Sequence, residues 1–337
     1  MRKSGLNLAF GEMKQLCCSF MSGLMVILLC HCVGSGTGLV GGADSGGEAF
    51  VAVEAHSGRV VGSHNASAVR PVATLAQVAT AVVVFDWSTA TGGSLAQLAI
   101  VPPDVVSLAG PNPMGLVPGD QIALRDALYS MLLGSDTVSA QTVAGFVGHQ
   151  LQQQRGGGGS ITGTFVKEMN RLTSALGMSR TRFVSAHGSD GGTSSAEDMA
   201  RLAIYAMRHP GMSFYTKQKS RTIGFSRGGR VQSFRVANTN QLVGQQKING
   251  LKAGQGQTSG PCLIISAERD PLVEKLADGR ARITPRRMIA VVLNSGQREA
   301  RALGLLGSGW ATYDQLQSLG TAVGNQPQEV LSVPNLQ

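Results

Sequence analysis

The body of this 337-residue chain has almost no cysteine. Four of its five cysteines, Cys17, Cys18, Cys30 and Cys32, lie near the amino terminus, and Cys262 is alone in the rest of the chain. A single thiol cannot form an intramolecular disulfide, so a fold held together by disulfides is excluded for the body of the protein.

Charged and aromatic residues are also scarce. They make up 15% and 5% of the chain, while hydrophobic residues make up 42%, as in a globular protein. The formal net charge is +9, but the Lys and Arg residues are scattered and do not form a stripe interleaved with aromatic residues. We therefore do not expect nucleic acid as a partner, and a polyanionic surface would attract the same charge.

Histidines at metal-binding spacing are missing as well. His56, His64, His149, His187 and His209 include no His-x-x-x-His pair, and no carboxylate motif accompanies them. Structural and catalytic metal sites need such clusters. The sequence predicts neither a metal ion nor another cofactor.

An apolar run near the amino terminus predicts an exported protein. Residues 16–33 are mostly apolar, follow three basic residues, and give way to a Gly/Ser/Thr run at 34–38. This order of positive end, apolar middle and small residues is typical of secretory signals. We predict that residues 1–36 form a signal peptide, with an uncleaved membrane anchor as the alternative. Lipid attachment at Cys30 or Cys32 is disfavoured because a large residue precedes each of them.

The middle of the chain has the patterns of helices. The segment TLAQVATAVVVFDW, Thr74–Trp87, is apolar almost throughout and predicts a helix buried on all sides, with a hydroxyl residue capping its start. Short polar residues interrupt a second apolar segment near Gly134, which predicts two helices joined by a turn. Further helices are expected at 165–176 and 195–207, and a flexible glycine-rich loop at 150–163.

Short β-rich segments lie towards both ends of the chain. Residues 48–61 have the pattern of a β-hairpin, and the segments SRTIGF, VQSFRV, PCLIISAER and RMIAVVLNS follow Tyr215. Sheet at both ends with helices between predicts an α+β fold in which the terminal strands share one antiparallel sheet. We expect one domain over residues 45–302 and a partly disordered extension over 303–337, whose end is rich in Gly, Pro and Gln.

One stretch carries a specific resemblance. From Phe165 to Pro210, the patterns Phe-Val, Met-Asn, Leu-Gly-Met, Thr-x-Phe, His-Gly and Ser-x-x-Asp-Met-Ala occur in the order of the D-alanyl-D-alanine carboxypeptidases, the low-molecular-mass penicillin-binding proteins. The chain resembles this family from about Glu48 to Arg301. The resemblance implies the transpeptidase/β-lactamase fold: an antiparallel sheet flanked by helices, a mainly helical lobe, and a cleft between the lobe and the sheet edge.

The resemblance also implies where the catalytic motifs should lie, and several of their residues are replaced. The family uses the motifs Ser-x-x-Lys, Ser-x-Asn and Lys-Thr-Gly. The aligned segments in this chain are Thr74-Leu75-Ala76-Gln77, Ser135-Asp136-Thr137 and Lys252-Ala253-Gly254.

By this alignment Thr74 stands at the position of the nucleophile and Gln77 at that of the base. Thr74 keeps a hydroxyl, but its methyl group crowds the attack and limits its rotamers. Gln77 has neither proton affinity near pH 7 nor a positive charge. Losing a positioned base typically costs about 10²–10⁴-fold in rate. In the family Ser135 and Lys252 would lie around the same cleft, so Ser135 could relay a proton from Thr74 to Lys252.

The positions that the resemblance assigns to substrate binding are altered too. Thr137 lacks the amide that Asn offers to the substrate backbone. Ala253 lacks the hydroxyl placed for the terminal carboxylate of the substrate, whereas Gly254 is unchanged.

The resemblance implies a serine-type D-Ala-D-Ala carboxypeptidase that acts on peptidoglycan pentapeptides through an acyl-enzyme, with β-lactams as covalent inhibitors. Because the motifs are altered, we expect this activity to be weak or lost. The alternative is a noncatalytic relative that binds a cell-wall peptide. A β-lactamase-like hydrolase is disfavoured because no deacylating Glu can be assigned. We expect an exported protein of the periplasm or cell envelope, with membrane contact only through its amino-terminal segment.

Without the resemblance, the same residues have ordinary structural interpretations. Thr74 would cap a helix, Ser135 would lie in a turn, and Lys252 would be a solvated loop lysine between glycines. His187 and Asp190 invite comparison with a Ser-His-Asp triad. Such partners are defined by geometry rather than by proximity in sequence, and we do not expect a triad here.

Overall fold

A computed structural model describes residues 47–156, 158–319 and 330–336 of the chain. The predicted leader, residues 1–36, lies outside them. The strands are β1 (Ala49–Glu54), β2 (Arg59–His64), β3 (Arg70–Pro71), β4 (Leu98–Ile100), β5 (Gln121–Ala123), β6 (Thr193–Ser194), β7 (Ser220–Arg227), β8 (Arg230–Ala237), β9 (Ile248–Gly256), β10 (Gly260–Lys275) and β11 (Ala281–Leu293).

Six of the α-helices lie between β3 and β7. Short 3₁₀ turns lie at Ala73–Ala76 and Pro103–Ser107. The α-helices are α1 (Gln77–Thr91), α2 (Leu124–Gly134), α3 (Thr137–Arg155), α4 (Ile161–Ala175), α5 (Ala196–Arg208), α6 (Pro210–Thr216) and α7 (Arg298–Ser318).

The principal sheet is built from both ends of the chain. Its five strands have the order β2-β1-β11-β10-β9, and every neighbouring pair is antiparallel. Strand β1 runs along β11 in a continuous register from Ala49 opposite Leu293 to Glu54 opposite Met288. The predicted α+β fold, with the terminal strands in one antiparallel sheet, is confirmed.

Alternation along β1 gives this sheet two apolar faces. Val51 and Val53 belong to the core shared with α1 and α5, whereas Phe50 and Ala52 belong to a second apolar cluster shared with α7. Successive side chains of a strand point to opposite faces, which is why every residue of β1 is buried. Helices therefore cover the sheet on both sides.

A second sheet lies on the side of the helical lobe, in the order β4-β5-β7-β8. It contains the strands predicted from SRTIGF and VQSFRV, which pair with each other along their whole length. Both strands pack against α2 rather than joining the principal sheet. The existence of these strands followed from their β-rich pattern, but their separation from β10 and β11 did not.

The central helix α1 is apolar on all sides and lies in the core. Together with the preceding 3₁₀ turn it is long and apolar enough to span a membrane, but 78% of it is buried inside the protein. The predicted buried helix is confirmed. The predicted cap is wrong, because Thr74 lies within the 3₁₀ turn and its hydroxyl makes no hydrogen bond to the helix.

A tight turn joins α2 to α3, as predicted from the polar residues after Gly134. Ser135 ends α2 in the left-handed conformation, with φ of 58°. The side chain of Asp136 then caps α3 by accepting a hydrogen bond of 3.0 Å from the backbone N–H of Ser139. The turn thereby fixes the direction in which Ser135 leaves the backbone.

The predicted loop 150–163 is too long. Helix α3 continues to Arg155, because its inner face still buries Leu151, and α4 begins at Ile161, so both ends of that predicted loop are helical. Helix α7, Arg298–Ser318, packs its apolar face on the principal sheet. The domain end at residue 302 and the extent of the carboxyl-terminal extension stay predictions.

Candidate active site

The fold brings the three motif segments together. Thr74 and Gln77 lie where the 3₁₀ turn enters α1, Ser135 lies in the α2–α3 turn, and Lys252 lies on β9. Strand β9 packs against the 3₁₀ turn. Hydrogen bonds from Gln77 and from Lys252 both reach Ser135. A single region of the molecule therefore holds the catalytic positions that the resemblance implied.

Lys252 is the only one of these residues with an ionisable side chain, and it is fully buried. It lies within β9 rather than in a solvated loop, so the structural interpretation from sequence was wrong. Its Nζ donates to Ser135 Oγ, and to the Ala253 carbonyl at 3.0 Å. Burial, and after it the positive charge of Arg298, lower the pKa of Lys252 to about 7. Near neutral pH this amine therefore has a lone pair available for accepting a proton.

The side chain of Gln77 links α1 to other segments through hydrogen bonds. Its Nε2 lies 3.3 Å from the Ser135 carbonyl, 3.4 Å from that of Asp136 and 3.2 Å from that of His187. An amide nitrogen has only two hydrogens, so these carbonyls share them. Its Oε1 is buried without a described hydrogen-bond partner. The side chain ties α1 to the α2–α3 turn and has no basic atom to offer Thr74.

The hydroxyl of Thr74 is present but isolated. Its Oγ1 is buried and has no hydrogen-bond partner among the described residues. The oxygen faces Gly254 of β9, where a Cβ atom would lie 3.1 Å from it. Neither Gln77 nor Lys252 makes a described hydrogen bond with it, so no described group is in place to remove its proton.

Ser135 has the polar neighbours that Thr74 lacks. Besides Lys252, its Oγ lies 3.3 Å from the Ala253 carbonyl and 3.4 Å from Thr239 Oγ1. Thr239 in turn donates to the Leu133 carbonyl at 3.0 Å, which holds it beside the α2–α3 turn. A hydroxyl in contact with an amine of lowered pKa is suited to general-base activation once the amine has lost its proton.

The predicted substrate-binding positions are less well placed. Thr137 Oγ1 donates to the Pro111 carbonyl at 3.0 Å, which also accepts the Thr137 N–H. The Ala253 side chain belongs to the apolar cluster on the α7 side of the sheet. Gly254 lies beside Thr74 and has its carbonyl bound by Arg298. Their roles in binding stay predictions.

Sequence reasoning missed Arg298 and the structural role of Asp136. Arg298 begins α7, and its Nη1 donates to the Gly254 carbonyl at 2.9 Å and to the Cys262 carbonyl at 3.3 Å. Asp136 is completely buried and accepts from the hydroxyls of Ser130 and Ser139, at 2.6 and 2.7 Å. The polar run after Gly134 could have identified Asp136 as a cap, but no local pattern placed Arg298 near Lys252.

His187 and Asp190 do not form part of a described catalytic triad. His187 Nε2 is 3.9 Å from Asp190, and its Nδ1 accepts from the backbone N–H of Ser189. Asp190 instead accepts a 2.5 Å hydrogen bond from the hydroxyl of Ser185. Burial lowers the pKa of His187. No described hydrogen bond joins its ring to a serine hydroxyl, and its carbonyl serves Gln77.

Solved structures of a DD-transpeptidase and of a penicillin-binding protein have the same fold. The Streptomyces K15 DD-transpeptidase aligns with a TM-score of 0.65 and 23% identity, covering 78% of this chain and 96% of that one. Penicillin-binding protein D2 from Listeria monocytogenes, in its cefotaxime-bound form, aligns with a TM-score of 0.57 and 25% identity, covering 81% of this chain and 96% of that one. At 23% identity, the likeness to the Streptomyces K15 DD-transpeptidase shows only a shared fold.

Proteins of similar sequence include D-alanyl-D-alanine endopeptidases and carboxypeptidases. A D-alanyl-D-alanine endopeptidase of Pseudomonas aeruginosa is 31% identical over 226 residues, which cover 65% of this chain and 66% of that protein. The carboxypeptidase DacC of Escherichia coli is 27% identical over 228 residues, 65% of this chain and 52% of that protein. The matches thus span between half and two thirds of these relatives. The family described as D-alanyl-D-alanine carboxypeptidase matches residues 41–276. The chain belongs to the D-alanyl-D-alanine carboxypeptidase family.

Proposed function

We propose that this protein binds D-alanine-terminated stem peptides of peptidoglycan where the 3₁₀ turn, the α2–α3 turn and β9 meet, and that Thr74 is not a nucleophile there. The observation that carries this proposal is the isolated hydroxyl of Thr74. Its oxygen is buried without a hydrogen-bond partner, and the residue at the position of the base, Gln77, donates its amide to three backbone carbonyls. The three motif segments lie close together, but the residue at the position of the base has no basic atom.

The position of β9 supports peptide binding. It is the last strand of the principal sheet, so one of its edges is free of a neighbouring strand among the described residues. The strand emerges to the surface from Gln255 onwards. An extended peptide can add to such an edge through backbone hydrogen bonds. At Gly254 the lack of a side chain lets the 3₁₀ turn approach β9 closely, which places Thr74 beside this strand.

Export follows from the same proposal. Peptidoglycan lies outside the cytoplasm, and the apolar run at residues 16–33 has the composition of a secretory signal. The formal net charge of +9 favours association with a polyanionic envelope. We expect the protein in the periplasm or cell envelope. Whether residues 1–36 are cleaved can be tested by sequencing the amino terminus of the protein recovered from the envelope.

A second candidate function is hydrolysis of the terminal D-Ala through Thr74. The contact between Lys252 and Ser135 favours it, because Ser135 could pass a proton from Thr74 to the amine of Lys252. Thr74 makes no described hydrogen bond to Ser135, however, so this relay has a gap at its first step.

Binding and acylation can be tested on the same preparations. Calorimetry with a pentapeptide ending in D-Ala-D-Ala should detect binding, and the same peptide ending in L-Ala-L-Ala should bind at least tenfold more weakly. Incubation with benzylpenicillin followed by peptide mapping should show no acyl group on residue 74 of the native protein. The double variant Thr74→Ser/Gln77→Lys restores nucleophile and base and should be acylated at residue 74.

Two outcomes would contradict the proposal. A penicilloyl group on Thr74 of the native protein that disappears in Thr74→Ala would establish the enzyme with a threonine nucleophile. Equal affinity for the two pentapeptides, or no binding of either, would remove the wall peptide as the ligand. Circular dichroism of each variant confirms that the comparison is made between folded proteins.

A further inference from the structure

In this site the hydroxyl that contacts an amine is that of Ser135, and not that of Thr74 at the nucleophile position. Ser135 Oγ is in direct contact with the amine of Lys252, whereas Thr74 Oγ1 is buried without any described partner. Ser135 also lies on a tight turn, where its left-handed backbone, with φ of 58°, is held between α2 and the capped start of α3. A nucleophile needs a base within hydrogen-bond reach, and Ser135 has one.

We propose that Ser135, with Lys252 as its base, is the nucleophile that this site presents to the D-alanyl carbonyl of a bound wall peptide or to a β-lactam carbonyl. This proposal rests on the proposed function in one respect, since it assumes that the stem peptide binds where the 3₁₀ turn, the α2–α3 turn and β9 meet. It assigns to the second motif the role that the first motif has in the intact family.

The chemistry balances with groups that the site contains. The hydroxyl proton of Ser135 moves to the uncharged amine of Lys252 while the Ser135 Oγ–carbon bond forms. The carbon–nitrogen bond to the leaving D-Ala then breaks, and its nitrogen takes the proton from the Lys252 ammonium. Water attacks the resulting ester, gives a proton to Lys252, and the ester bond to Ser135 breaks as Oγ recovers that proton. The products are a shortened peptide and free Ser135.

The surroundings of Lys252 favour its uncharged form. Its charged neighbour from α7 is Arg298, whose guanidinium also opposes protonation of the amine. Asp136, from the α2–α3 turn, is engaged by serine hydroxyls of α2 and α3. From α1 comes the neutral amide of Gln77, which contacts the same turn as Lys252. In the described part of the chain no carboxylate forms an ion pair with Lys252.

Peptide mapping of the native protein tests the proposal directly. Arg125 lies between Thr74 and Ser135, so tryptic peptides separate the two residues. After reaction with benzylpenicillin, or with a small fluorophosphonate that labels activated serines, fragmentation should place the adduct on Ser135. Labelling should fall at least tenfold in Ser135→Ala and in Lys252→Met, and stay unchanged in Ser213→Ala, which removes an exposed hydroxyl of α6. The labelling rate should rise with pH and reach half its maximum near pH 7.

The outcomes separate this proposal from the proposed function. An adduct on Thr74, or no adduct on Ser135 in a protein that binds the D-Ala-D-Ala peptide, overturns the proposal and leaves peptide binding intact. A fluorophosphonate adduct on Ser135 in a protein that does not bind the peptide supports the reactive pair and removes the assumed ligand. Because mapping of the native protein needs no variant, a folding defect in Ser135→Ala does not prevent the decision.

Discussion

At the scale of single residues, the replacement of the first-motif lysine by Gln77 changes the charge of the whole site. Among Thr74, Gln77, Ser135 and Lys252, only Lys252 has an ionisable side chain, and it is buried beside Arg298 without a described counter-charge. A positive charge in such surroundings is costly, and the lowered pKa of Lys252 expresses that cost. The identities of Gln77 and Lys252 were evident from the motif alignment. Their contacts were not, because each involves a carbonyl or hydroxyl far away in sequence.

The buried amine makes the stability of the native protein depend on pH. The pKa of Lys252 is about 7 in the folded state, against 10.5 for a solvated lysine. The unfolded chain therefore binds more protons between these values, so the free energy of unfolding contributed by this group rises from pH 7 towards pH 10.5 and is lowest below pH 7. We expect the free energy of unfolding of Lys252→Met to exceed that of the native protein by more at pH 6 than at pH 9.5. The gain at pH 6 should be larger than the gain at pH 9.5 by on the order of 3 kcal/mol.

Urea unfolding of both proteins at the two pH values measures this difference. Lys217→Met, at a residue on the surface beside α6, serves as the control and should show no such pH dependence. The prediction fails if the gap between the native protein and Lys252→Met is the same at pH 6 and pH 9.5.

At the scale of elements, the close approach of the 3₁₀ turn to β9 defines the site. A Cβ atom on Gly254 would lie 3.1 Å from Thr74 Oγ1 and 3.2 Å from the backbone nitrogen of Leu75. Both distances are tighter than ordinary contacts, and one of the neighbours is backbone. The strand that makes this contact was not predicted, because Gly250, Lys252 and Gly254 interrupt the apolar pattern of INGLKAGQG.

We expect Gly254→Ala to destabilise the protein by about 1–2 kcal/mol, because the added methyl group forces β9 away from the 3₁₀ turn. The matched control is Gly304→Ala in α7, where an added Cβ meets nothing within 4 Å. That change should instead stabilise by roughly 0.5–1 kcal/mol, since Ala replaces Gly within an exposed helical turn. Thermal unfolding of the two variants beside the native protein measures both effects. Equal changes of the same sign would mean that the approach at Gly254 is not tight.

At the scale of the whole molecule, residues 330–336 pack beside the turn between β1 and β2. The backbone N–H of Leu331 donates to the Gly58 carbonyl at 2.8 Å, in the turn between β1 and β2. Arg208 Nη1 donates to the carbonyls of Val333 and Pro334, each at 3.1 Å. Leu331 is only 3% exposed and belongs to the main core. Residues 330–336 therefore contact the folded domain, while the partial disorder expected for the extension over 303–337 stays a prediction.

We expect Leu331→Ala to lower the free energy of unfolding by about 2–3 kcal/mol, because it removes a buried side chain and leaves a cavity. Leu336→Ala, which truncates a leucine that is 46% exposed in the same segment, should change it by less than about 0.5 kcal/mol. Urea unfolding measures both. If the two variants are equally stable, residues 330–336 do not contribute to the core in solution.

Local patterns in the chain were enough for the α+β class, the longer helices of the middle segment, the buried character of α1 and the turn at Ser135. Each of these depends on hydrophobic periodicity or turn chemistry within a short segment, whereas the positions of the three motifs came from the family resemblance. The isolation of Thr74, the contact between Lys252 and Ser135, the pKa of Lys252 and the approach of Arg298 depend on strands and helices that are far apart in the sequence. Burial and contact between distant segments set these properties, and the chemistry of the site follows from them.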